Sequence, residues 1–493
     1  MSLHQLLIEA AAREPDRPAV AGPSGAVTYG ELDAWADTLA HRLLGLGVGR
    51  GDRVVIWAAK SAAAVAAMQA VLRLGAAYVP VDGTTPVGRV AALARDCGAG
   101  AVLTAAGRIP KISAELGPQV GCASLAAEPG ATPKPVNELV ADDELGFILY
   151  TSGSTGTPKG VCISHGNARA FVDWAVDVLG PGPQDRFANH APFTFDLSVL
   201  DLYAAFSAGA SVHLIPSELS FAPAQLVEFV HRERITVWYS VPSALALMMR
   251  YGGLLETPTP DSLRAVLFAG EPFPITQLRA LAGWTRARML NLYGPTETNV
   301  CTFHEVTTAD LERDRPVPIG TAASGDRVWA QRSDGGVAGL GEEGELIVEG
   351  PTVMAGYWGR GPHRGPYRTG DLVRVLPDGA FDYLGRGDHM VKIRGHRIEL
   401  GEVESAFTGH EDVAEAAAVA VGEGLDRRLV AFVAPKPGCD PGVPALRQHS
   451  SQHLPRYMLP DEVHVIAGLP RTGTGKVDRL ALAARAERRQ ARP

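Results

Sequence analysis

Apolar stretches of strand length alternate with alanine- and leucine-rich stretches of helical period along most of the 493-residue chain. Residues 53–57 have the pattern of a strand, residues 62–72 that of a helix, and residues 77–81 that of a second strand. Strands that alternate with helices usually form a parallel sheet covered by those helices. The pattern therefore predicts an α/β fold for the larger part of the chain.

The pattern changes near Asp388. Residues 391–398 indicate a basic strand, residues 411–421 a helix and residues 429–433 another strand, followed by proline-rich turns. A chain of this length exceeds one core, since a domain takes roughly 100–200 residues. We therefore predict a large N-terminal α/β domain over residues 1–387 and a small C-terminal α+β domain over residues 388–493.

Composition and charge exclude several classes of protein. With 46% hydrophobic and 20% charged residues, the chain lies in the ordinary globular range. Its 46 basic and 54 acidic residues give a net charge of −8, which argues against a nucleic-acid partner. The apolar stretch 61–72 is shorter than the ~18 residues of a membrane span. Glu9 and Arg13 interrupt any signal-peptide core, so we expect a cytoplasmic protein with no membrane partner.

The strongest single motif is a loop rich in glycine and hydroxyl groups at residues 151–160. It lies between the apolar runs 146–150 and 161–164, so it joins two strands, whereas a Walker A loop leads into a helix. Inward-turned backbone amides, hydroxyls and a lysine are the donors that a polyphosphate needs. A flexible linker is the alternative, which the direct continuation into a strand disfavours. The proposed phosphate-binding residues are Thr151, Ser152, Gly153, Ser154, Thr155, Gly156 and Lys159.

Further motifs follow one another in a fixed order along the chain. They lie at residues 28–32, 74–80, 151–160, 195–198, 291–298, 367–371, 385–388, 392–395, 454–460 and 474–476. With this ordered set, the chain resembles the adenylate-forming enzymes, and in particular the free-standing amino-acid adenylation domains of the nonribosomal peptide synthetase type. The resemblance runs nearly end to end, and residues 81–86 are its one departure. It implies a large N-terminal domain of packed α/β subdomains with a distorted β-barrel, and a small mobile C-terminal domain.

The resemblance implies a two-step reaction with ATP and Mg²⁺. A carboxylate attacks the α-phosphate of ATP, and the acyl-adenylate then passes to a thiol. Lys476 would bridge the carboxylate and the phosphate, with Thr155 and Lys159 as further catalytic residues, and Glu297 would be the magnesium ligand. Taken alone, Lys476 could be a solvated surface charge and Glu297 an N-cap acid.

The same resemblance assigns the nucleotide site and a hinge. Asp371 would accept the ribose hydroxyls, although an isolated Thr-Gly-Asp turn could be an ordinary Asx turn. Asp388 would be the hinge about which the small domain alternates between two catalytic poses, with a thiol tunnel opening near Gly395; a turn aspartate without special motion is the alternative. Tyr293 would stack on adenine, which Asn291 would hydrogen-bond, and the remaining nucleotide-binding residues would be Gly270, Glu271, Gly294, Thr296 and Arg386.

The acyl substrate is predicted from Asp196 and a pocket without charged or amide groups. An acid beside the pocket would pair with an α-ammonium, which favours an amino acid over an aryl or fatty acid. The pocket resembles that of prolyl-carrier-protein ligases, so L-proline is the predicted substrate; another small apolar amino acid, or lining residues that are only core, are the alternatives. The lining residues are Leu197, Leu200, Tyr239, Leu267, Ala269, Leu292, Val300 and Cys301.

The acceptor is expected to be a separate protein. The chain ends at Pro493 soon after Lys476, and its one Asp-Ser-Leu sequence, at residues 261–263, leads into a strand. We therefore expect a stand-alone peptidyl carrier protein with a phosphopantetheine thiol. The resemblance implies a first step toward a pyrrole-2-carboxyl unit of a natural product such as an antibiotic. A CoA ligase for an aryl or fatty acid, and a binding protein that lost the chemistry, are the rival interpretations.

Overall fold

A computed structural model describes residues 2–126, 134–151, 158–386, 390–471 and 477–490. The α-helices of these residues are α1 Leu3–Arg13, α2 Tyr29–Gly45, α3 Ala62–Arg73, α4 Val87–Asp96, α5 Ile109–Leu116, α6 His165–Leu179, α7 Leu197–Ala208, α8 Pro223–Arg232, α9 Pro242–Tyr251, α10 Ile275–Trp284, α11 Leu400–Thr408, α12 Val443–His453 and α13 Arg479–Gln490.

The strands that precede residue 300 are β1 Pro18–Gly22, β2 Gly25–Thr28, β3 Arg53–Ala58, β4 Ala77–Asp82, β5 Ala101–Thr104, β6 Gly121–Ser124, β7 Leu145–Thr151, β8 Lys159–Ser164, β9 Arg186–Asn189, β10 Ser211–Leu214, β11 Val237–Ser240, β12 Ala265–Ala269 and β13 Arg288–Tyr293. The later strands are β14 Thr302–Glu305, β15 Thr321–Ala322, β16 Arg327–Gln331, β17 Glu343–Glu349, β18 Gly356–Tyr357, β19 Tyr367–Val375, β20 Phe381–Arg386, β21 Met390–Ile393, β22 His396–Glu399, β23 Val413–Val421, β24 Arg428–Pro435 and β25 Glu462–Val465.

Two large sheets form the framework of the N-terminal part. One has the order β15-β14-β13-β12-β11-β9-β10-β1-β2, and its strands are parallel from β1 through β10, β9, β11 and β12 to β13. The other has the order β18-β8-β7-β4-β3-β5-β6, and β4, β3, β5 and β6 are parallel. One apolar cluster contains residues of both sheets and of α1, α2, α3, α6 and α7. The predicted α/β class is confirmed, as is the strand–helix–strand order of β3, α3 and β4.

A four-stranded antiparallel sheet, in the order β16-β17-β19-β20, follows the two large sheets in sequence. Its own apolar cluster includes Leu346, Val348 and Val373, together with Tyr293 from β13. The side chains of Val348 and Val373 are fully buried. This sheet is therefore joined through its core to the end of the first large sheet.

Local sequence explains where several helices begin. Thr28 precedes α2 and its hydroxyl accepts a hydrogen bond from the amide of Glu31, whose carboxylate accepts from the amide of Thr28. Ser164 and Asn167 form the same reciprocal arrangement at α6. Such capping boxes satisfy amides that the first helical turn leaves without partners.

The alanine-rich run predicted as a helix over residues 411–421 is wrong, because it forms strand β23. Helix propensity favours alanine by only a few tenths of a kcal/mol per residue over most other residues, and burial overrides it here. The sequence of a strand that is covered on both faces is a continuous run of apolar residues, without alternation of apolar and polar positions. Ala416, Ala418 and Ala420 pack in one cluster with Val403 and Phe407 of α11, whereas Ala417, Val419 and Val421 pack in another with Leu482 and Ala486 of α13.

The single strand predicted over residues 391–398 is a hairpin of β21 and β22. Lys392 pairs with Arg397 and Ile393 with His396. Arg394 and Gly395 between them have φ values of 51° and 78°, the left-handed conformation of a tight hairpin turn. The strand pattern was correct, but the turn chemistry of Arg-Gly was missed.

The chain divides into two compact units. The first contains residues 1–83, 91–150 and 160–387, and the second contains residues 84–90, 151–159 and 388–493. The boundary between residues 387 and 388 coincides with the predicted one, but residues 84–90 and 151–159 group with the C-terminal part. The predicted domains, 1–387 and 388–493, therefore stay a prediction. None of the helices in the described ranges is long and apolar enough to cross a membrane. The cytoplasmic location likewise stays a prediction.

Candidate nucleotide and acyl site

Asp371 lies in strand β19, so the Thr-Gly-Asp sequence is part of a strand and not the isolated Asx turn that was its alternative interpretation. Ile347 of β17 pairs with Arg368 and Glu345 with Leu372, so β19 bulges between these two pairs. The Thr369 hydroxyl donates to the carbonyl of Leu346 at 2.8 Å and accepts from the amide of Asp371 at 3.0 Å. A bulge of this kind redirects a side chain out of the regular alternation.

The Asp371 carboxylate is almost completely buried and is surrounded by donors. It accepts hydrogen bonds from the hydroxyl of Tyr293, from the Tyr383 hydroxyl at 3.5 Å and from Arg386 at 3.1 Å. Burial, and next the Asp371 charge, raise the pKa of Tyr293 well above its ordinary value, so the phenol remains protonated and donates. Three predicted nucleotide-site residues therefore meet at one carboxylate: Tyr293, Asp371 and Arg386.

Strand β13 has a polar face and an apolar face. Asn291 and Tyr293 alternate with Leu290 and Leu292, so the two pairs point to opposite faces of the sheet. The Asn291 amide is buried and donates to the carbonyl of Pro318 at 2.8 Å. The predicted adenine residues are thus separated from the predicted acyl pocket by one strand.

The turn after β13 contains Gly294, Thr296 and Glu297. A Cβ at Gly294 would lie 1.4 Å from the carbonyl oxygen of Asn299, so the backbone crossing leaves no room for a side chain. Glu297 is 1% exposed, and its Oε1 accepts from the Tyr357 hydroxyl at 2.8 Å. Thr296 is half-buried in the same turn.

The turn after β13 offers one carboxylate, that of Glu297, to a magnesium ion whose other ligands would be oxygens of the substrate and water. No group of three histidine, cysteine or acidic side chains suited to a metal occurs in the part of the chain that the structure describes. Glu297 offers a buried, oriented carboxylate. Because Mg²⁺ usually takes one or two carboxylates together with phosphate oxygens and waters, a single carboxylate is compatible with it.

Gly270 and Glu271 follow directly after β12. Glu271 accepts a hydrogen bond at 3.1 Å from the amide of Ser243, in the first turn of α9. This contact satisfies a helix-terminal donor and complements the helix dipole. Glu271 therefore links the first turn of α9 to the segment that directly follows β12.

The predicted acyl pocket is assembled from α7 and three strands. Asp196 directly precedes α7, and Leu200 lies one turn into that helix. Tyr239 of β11 is in register with Leu267 of β12, and Ala269 is in register with Leu292 of β13. Seven lining residues belong to one buried cluster: Leu197, Leu200, Tyr239, Leu267, Ala269, Leu292 and Val300. Cys301 is the exception, because it packs in the cluster of Tyr293.

The phosphate loop is described only at its ends. Thr151 is the last residue of β7 and Lys159 is the first residue of β8, which agrees with the predicted strand–loop–strand order. The predicted residues that lie outside the described part of the chain are Ser152, Gly153, Ser154, Thr155, Gly156, Asp388 and Lys476.

A buried charge network beside α7 was missed from the sequence. Lys60 Nζ donates to the carbonyls of Asn189 and His190, both at 2.9 Å, and the Asn189 amide donates to Asp201 at 3.0 Å. Burial lowers the pKa of Lys60 to about 7. The position of Lys60 just after β3 was the available signal, since polar groups at the carboxyl ends of parallel strands often face a site.

The comparisons with known proteins agree with this fold and site. The description "AMP-binding enzyme" matches residues 7–358, and "AMP-binding enzyme C-terminal domain" matches residues 402–476. The chain therefore belongs to the AMP-binding enzyme family, and it is an ATP-dependent ligase of that family.

Two relatives and one solved structure show which members of the family this chain is similar to. The chain is 48% identical to an L-proline--[L-prolyl-carrier protein] ligase of Pseudomonas fluorescens, over 98% of this chain and 99% of that protein. It is 40% identical to a protein of the same name in Streptomyces coelicolor, over 100% of this chain and 98% of the other. The fold is similar, with a TM-score of 0.84 and 25% identity, to the Vibrio cholerae adenylation domain AlmE in complex with glycyl-adenosine-5'-phosphate, covering 99% and 98% of the two chains.

Proposed function

We propose that this protein activates L-proline with ATP as prolyl-AMP and transfers the prolyl group to the phosphopantetheine thiol of a separate peptidyl carrier protein. The observation that carries the proposal is a buried apolar cluster of seven predicted lining residues, which begins directly after the carboxylate residue Asp196. The names of the two curated relatives support the choice of proline and of a carrier protein.

Asp196 would pair with the α-ammonium of the amino acid. Apart from Tyr239, the predicted lining residues that pack together are leucines, an alanine and a valine, which offer no hydrogen bond to a polar side chain. Burying an unpaired polar group there would cost about 1–3 kcal/mol. Short apolar amino acids are therefore favoured, and a five-membered ring has the compact shape that such a pocket admits.

The polar face of β13 and the bulge of β19 would bind the nucleotide. Tyr293 would stack on adenine, and Asp371, oriented by three donors, keeps lone pairs for the ribose hydroxyls. Glu297 would hold Mg²⁺, which would supply positive charge to the departing pyrophosphate. Thr151, Thr155 and Lys159 would donate to the phosphates, and Lys476 would neutralise charge at the attacked phosphorus.

The prolyl thioester would be the product that leaves on the carrier. We propose that this protein catalyses the first step toward a pyrrole-2-carboxyl unit of a natural product, in which oxidation of the ring follows activation. The ammonium of proline is needed to pair with Asp196, whereas the nitrogen of a pyrrole carries no charge at neutral pH. Activation before oxidation is the order that this pocket favours.

ATP–pyrophosphate exchange with a panel of carboxylic acids tests the proposal. L-proline should be the best substrate, small aliphatic amino acids should be weak, and pyrrole-2-carboxylate should be inactive. Apolar pockets distinguish neighbours that differ by one methylene by roughly 10- to 200-fold, so some activity with valine is expected. Equal exchange with pyrrole-2-carboxylate, or efficient thioester formation from an aryl or fatty acid and CoA, would contradict it.

A further inference from the structure

The connection between β9 and α7 leads directly to the proposed partner of the substrate ammonium. β9 ends at Asn189, α7 begins at Leu197, and Asp196 is the last residue before the helix. Residues 190–196 form neither helix nor strand. A segment without regular backbone hydrogen bonds depends on contacts with its neighbours for a fixed conformation. The position of Asp196 is therefore set by what holds this connection.

Lys60 holds the start of the connection from the other large sheet. It is the second residue after β3, and its Nζ donates to the carbonyls of Asn189 and His190, both at 2.9 Å. These two residues are the last of β9 and the first of the connection. β3 and β9 belong to different sheets, so one side chain fixes the point where the chain leaves β9 relative to both sheets.

The far side of the connection is tied to the same point. Asp201 of α7 is completely buried and accepts a hydrogen bond at 3.0 Å from the side-chain amide of Asn189, which is also completely buried. The backbone carbonyl of Asn189 is bonded to Lys60, and its side chain is bonded to α7. Asp196 lies between these two residues in sequence, so the segment that contains it is closed at its base.

The two hydrogen bonds of Lys60 do not require a charged lysine. Burial lowers the pKa of Lys60 to about 7, whereas the charges of Asp201 and Asp82 act in the opposite direction. An ammonium has three N–H donors and a neutral amine has two, so either form can serve two carbonyls. The connection therefore needs two donors at this position, at any pH near neutrality.

A pocket lies against the Lys60 side chain. Its lining includes Ile56 of β3, Met68 of α3, Pro80 of β4 and Phe193 of the connection. Lys60 is only partly buried. Removal of its side chain would therefore leave a mainly apolar space that a small molecule can enter from solution, next to the two carbonyls.

We propose that Lys60 is a positioning residue for amino-acid binding, because its bonds to Asn189 and His190 fix the connection that places Asp196. This inference rests on the proposed function, in which Asp196 pairs with the substrate ammonium. Backbone carbonyls away from bulk water are nearly always hydrogen-bonded. Without Lys60, the two carbonyls would turn toward other donors, and the connection would move with them.

The test is Lys60→Met, which keeps a side chain of similar length but has no N–H donor. In pyrophosphate exchange, KM for L-proline should rise roughly 5- to 100-fold, as the loss of two hydrogen bonds implies. KM for ATP should remain near the parent value, because the proposed nucleotide residues Tyr293 and Asp371 lie on β13 and β19. The matched control is Lys111→Met, at an exposed lysine of α5, which should change neither KM.

Lys60→Ala provides a second variant with a chemical rescue. n-Propylammonium has the three carbons and the nitrogen that this substitution removes, so adding it should lower the raised KM for proline. Propan-1-ol, which has the same chain length and one donor, should lower it less. Thermal unfolding measured in the same titrations separates the two kinds of effect, since a role in stability alone would raise the melting temperature without lowering KM for proline.

Three results would overturn the inference while leaving the proposed function intact. In the first, Lys60→Met raises both KM values by the same factor; in the second, it leaves KM for proline at the parent value. In the third, n-propylammonium does not lower KM for proline in Lys60→Ala. A parent protein that prefers another amino acid would contradict the choice of proline, and the Lys60 variants would then be measured with that amino acid. Equal exchange with acids that lack an ammonium would contradict both proposals.

Discussion

The polar side chains of the proposed site are held by neighbours that leave them little rotational freedom. Asp371 is surrounded by Tyr293, Tyr383 and Arg386, and Glu297 accepts from Tyr357. Donors fixed in advance cost no reorganisation when a substrate binds, which is why such arrangements are effective at charged reaction centres. At the scale of single residues, this site is preorganised on its nucleotide side and apolar on its acyl side.

Asp196→Asn should raise KM for L-proline without changing KM for ATP. The amide keeps the shape of the side chain but removes the negative charge that pairs with the ammonium, and hydrogen bonds to charged groups contribute about 1.5–3 kcal/mol. Exchange kinetics with each substrate varied in turn provide the measurement. Asp201→Asn, one turn farther along α7 and bonded to Asn189, is the comparison variant. Equal damage to both KM values in Asp196→Asn would indicate a structural role.

Two buried histidines make stability depend on pH. His4 and His165 are both almost fully buried, with ring centroids 6.0 Å apart, and burial lowers the pKa of each to about 4. Their ordinary value is 6.5, so between pH 6.5 and 4 the unfolded chain binds more protons than the folded chain. The stability that the neutral rings provide is present above pH 6.5 and is lost as the pH falls toward 4.

Urea unfolding at pH 7 and pH 5 should therefore show a lower midpoint at pH 5. In His4→Gln the difference between the two midpoints should shrink, because one of the two groups that bind a proton on unfolding is gone. His453→Gln, at an exposed position, should keep the full difference. If the two midpoints of His4→Gln differed as much as those of the parent protein, groups other than His4 would cause the pH dependence of stability.

At the scale of elements, strand β13 separates the proposed nucleotide site from the proposed acyl pocket. Its alternation places Asn291 and Tyr293 on one side and Leu290 and Leu292 on the other, and the turn that follows contains Gly294 and the proposed magnesium ligand. One strand and one turn therefore set the relative positions of adenine, metal and acyl group. A disturbance of the turn should affect nucleotide binding before it affects the fold of the sheet.

Gly294→Ala should be strongly disruptive. The new Cβ would overlap the carbonyl of Asn299, and overpacking of this kind costs about 1–3 kcal/mol or more. We expect a lower urea midpoint and a raised KM for ATP. Gly283→Ala is the matched control, because no atom lies within 4 Å of its Cβ and it sits in α10, where alanine stabilises by roughly 0.5–1 kcal/mol. A Gly294→Ala protein with parental stability and KM would refute the steric argument.

At the scale of the whole molecule, the family resemblance implies that the two half-reactions need different poses of the C-terminal domain. Lys476 would serve adenylation alone, and Asp388 would be the point at which the backbone rotates. Both residues lie outside the described part of the chain, so their roles are proposals from the sequence. Kinetics that separate the half-reactions test them directly.

Lys476→Ala and Asp388→Pro should have opposite effects. Loss of the lysine should reduce pyrophosphate exchange by about a hundredfold to a thousandfold, as removal of one charge-stabilising donor does, while transfer from supplied prolyl-AMP to the carrier persists. The proline should restrict φ at the hinge, so that exchange persists and carrier loading fails. If both half-reactions decreased equally in either variant, the two-pose interpretation would lose its support.

The sequence by itself determined the fold class and the family, and it supplied the candidate site residues as predictions. Motifs such as residues 151–160 and 291–298 are local, and their chemistry depends on residue type and spacing alone. The alternation of β3, α3 and β4 is likewise a local pattern that burial of one helix face and of the strands imposes. The fold class, the family and this alternation were predicted correctly because each depends on patterns that are local in sequence, whereas the roles of the residues in the two motifs stay predictions.

The tertiary structure alone decided features that depend on distant partners. Residues 413–421 form a strand because helices pack against both of its faces. Residues 367–371 belong to a bulged strand because β17 pairs on either side of the bulge. The packing of Cys301 with Tyr293, and the lack of a hydrogen-bond partner for the Tyr239 hydroxyl among the described residues, became visible only once the strands were in register. Residue identity sets which interactions a side chain can make, but which of them it makes is decided by what folding brings beside it.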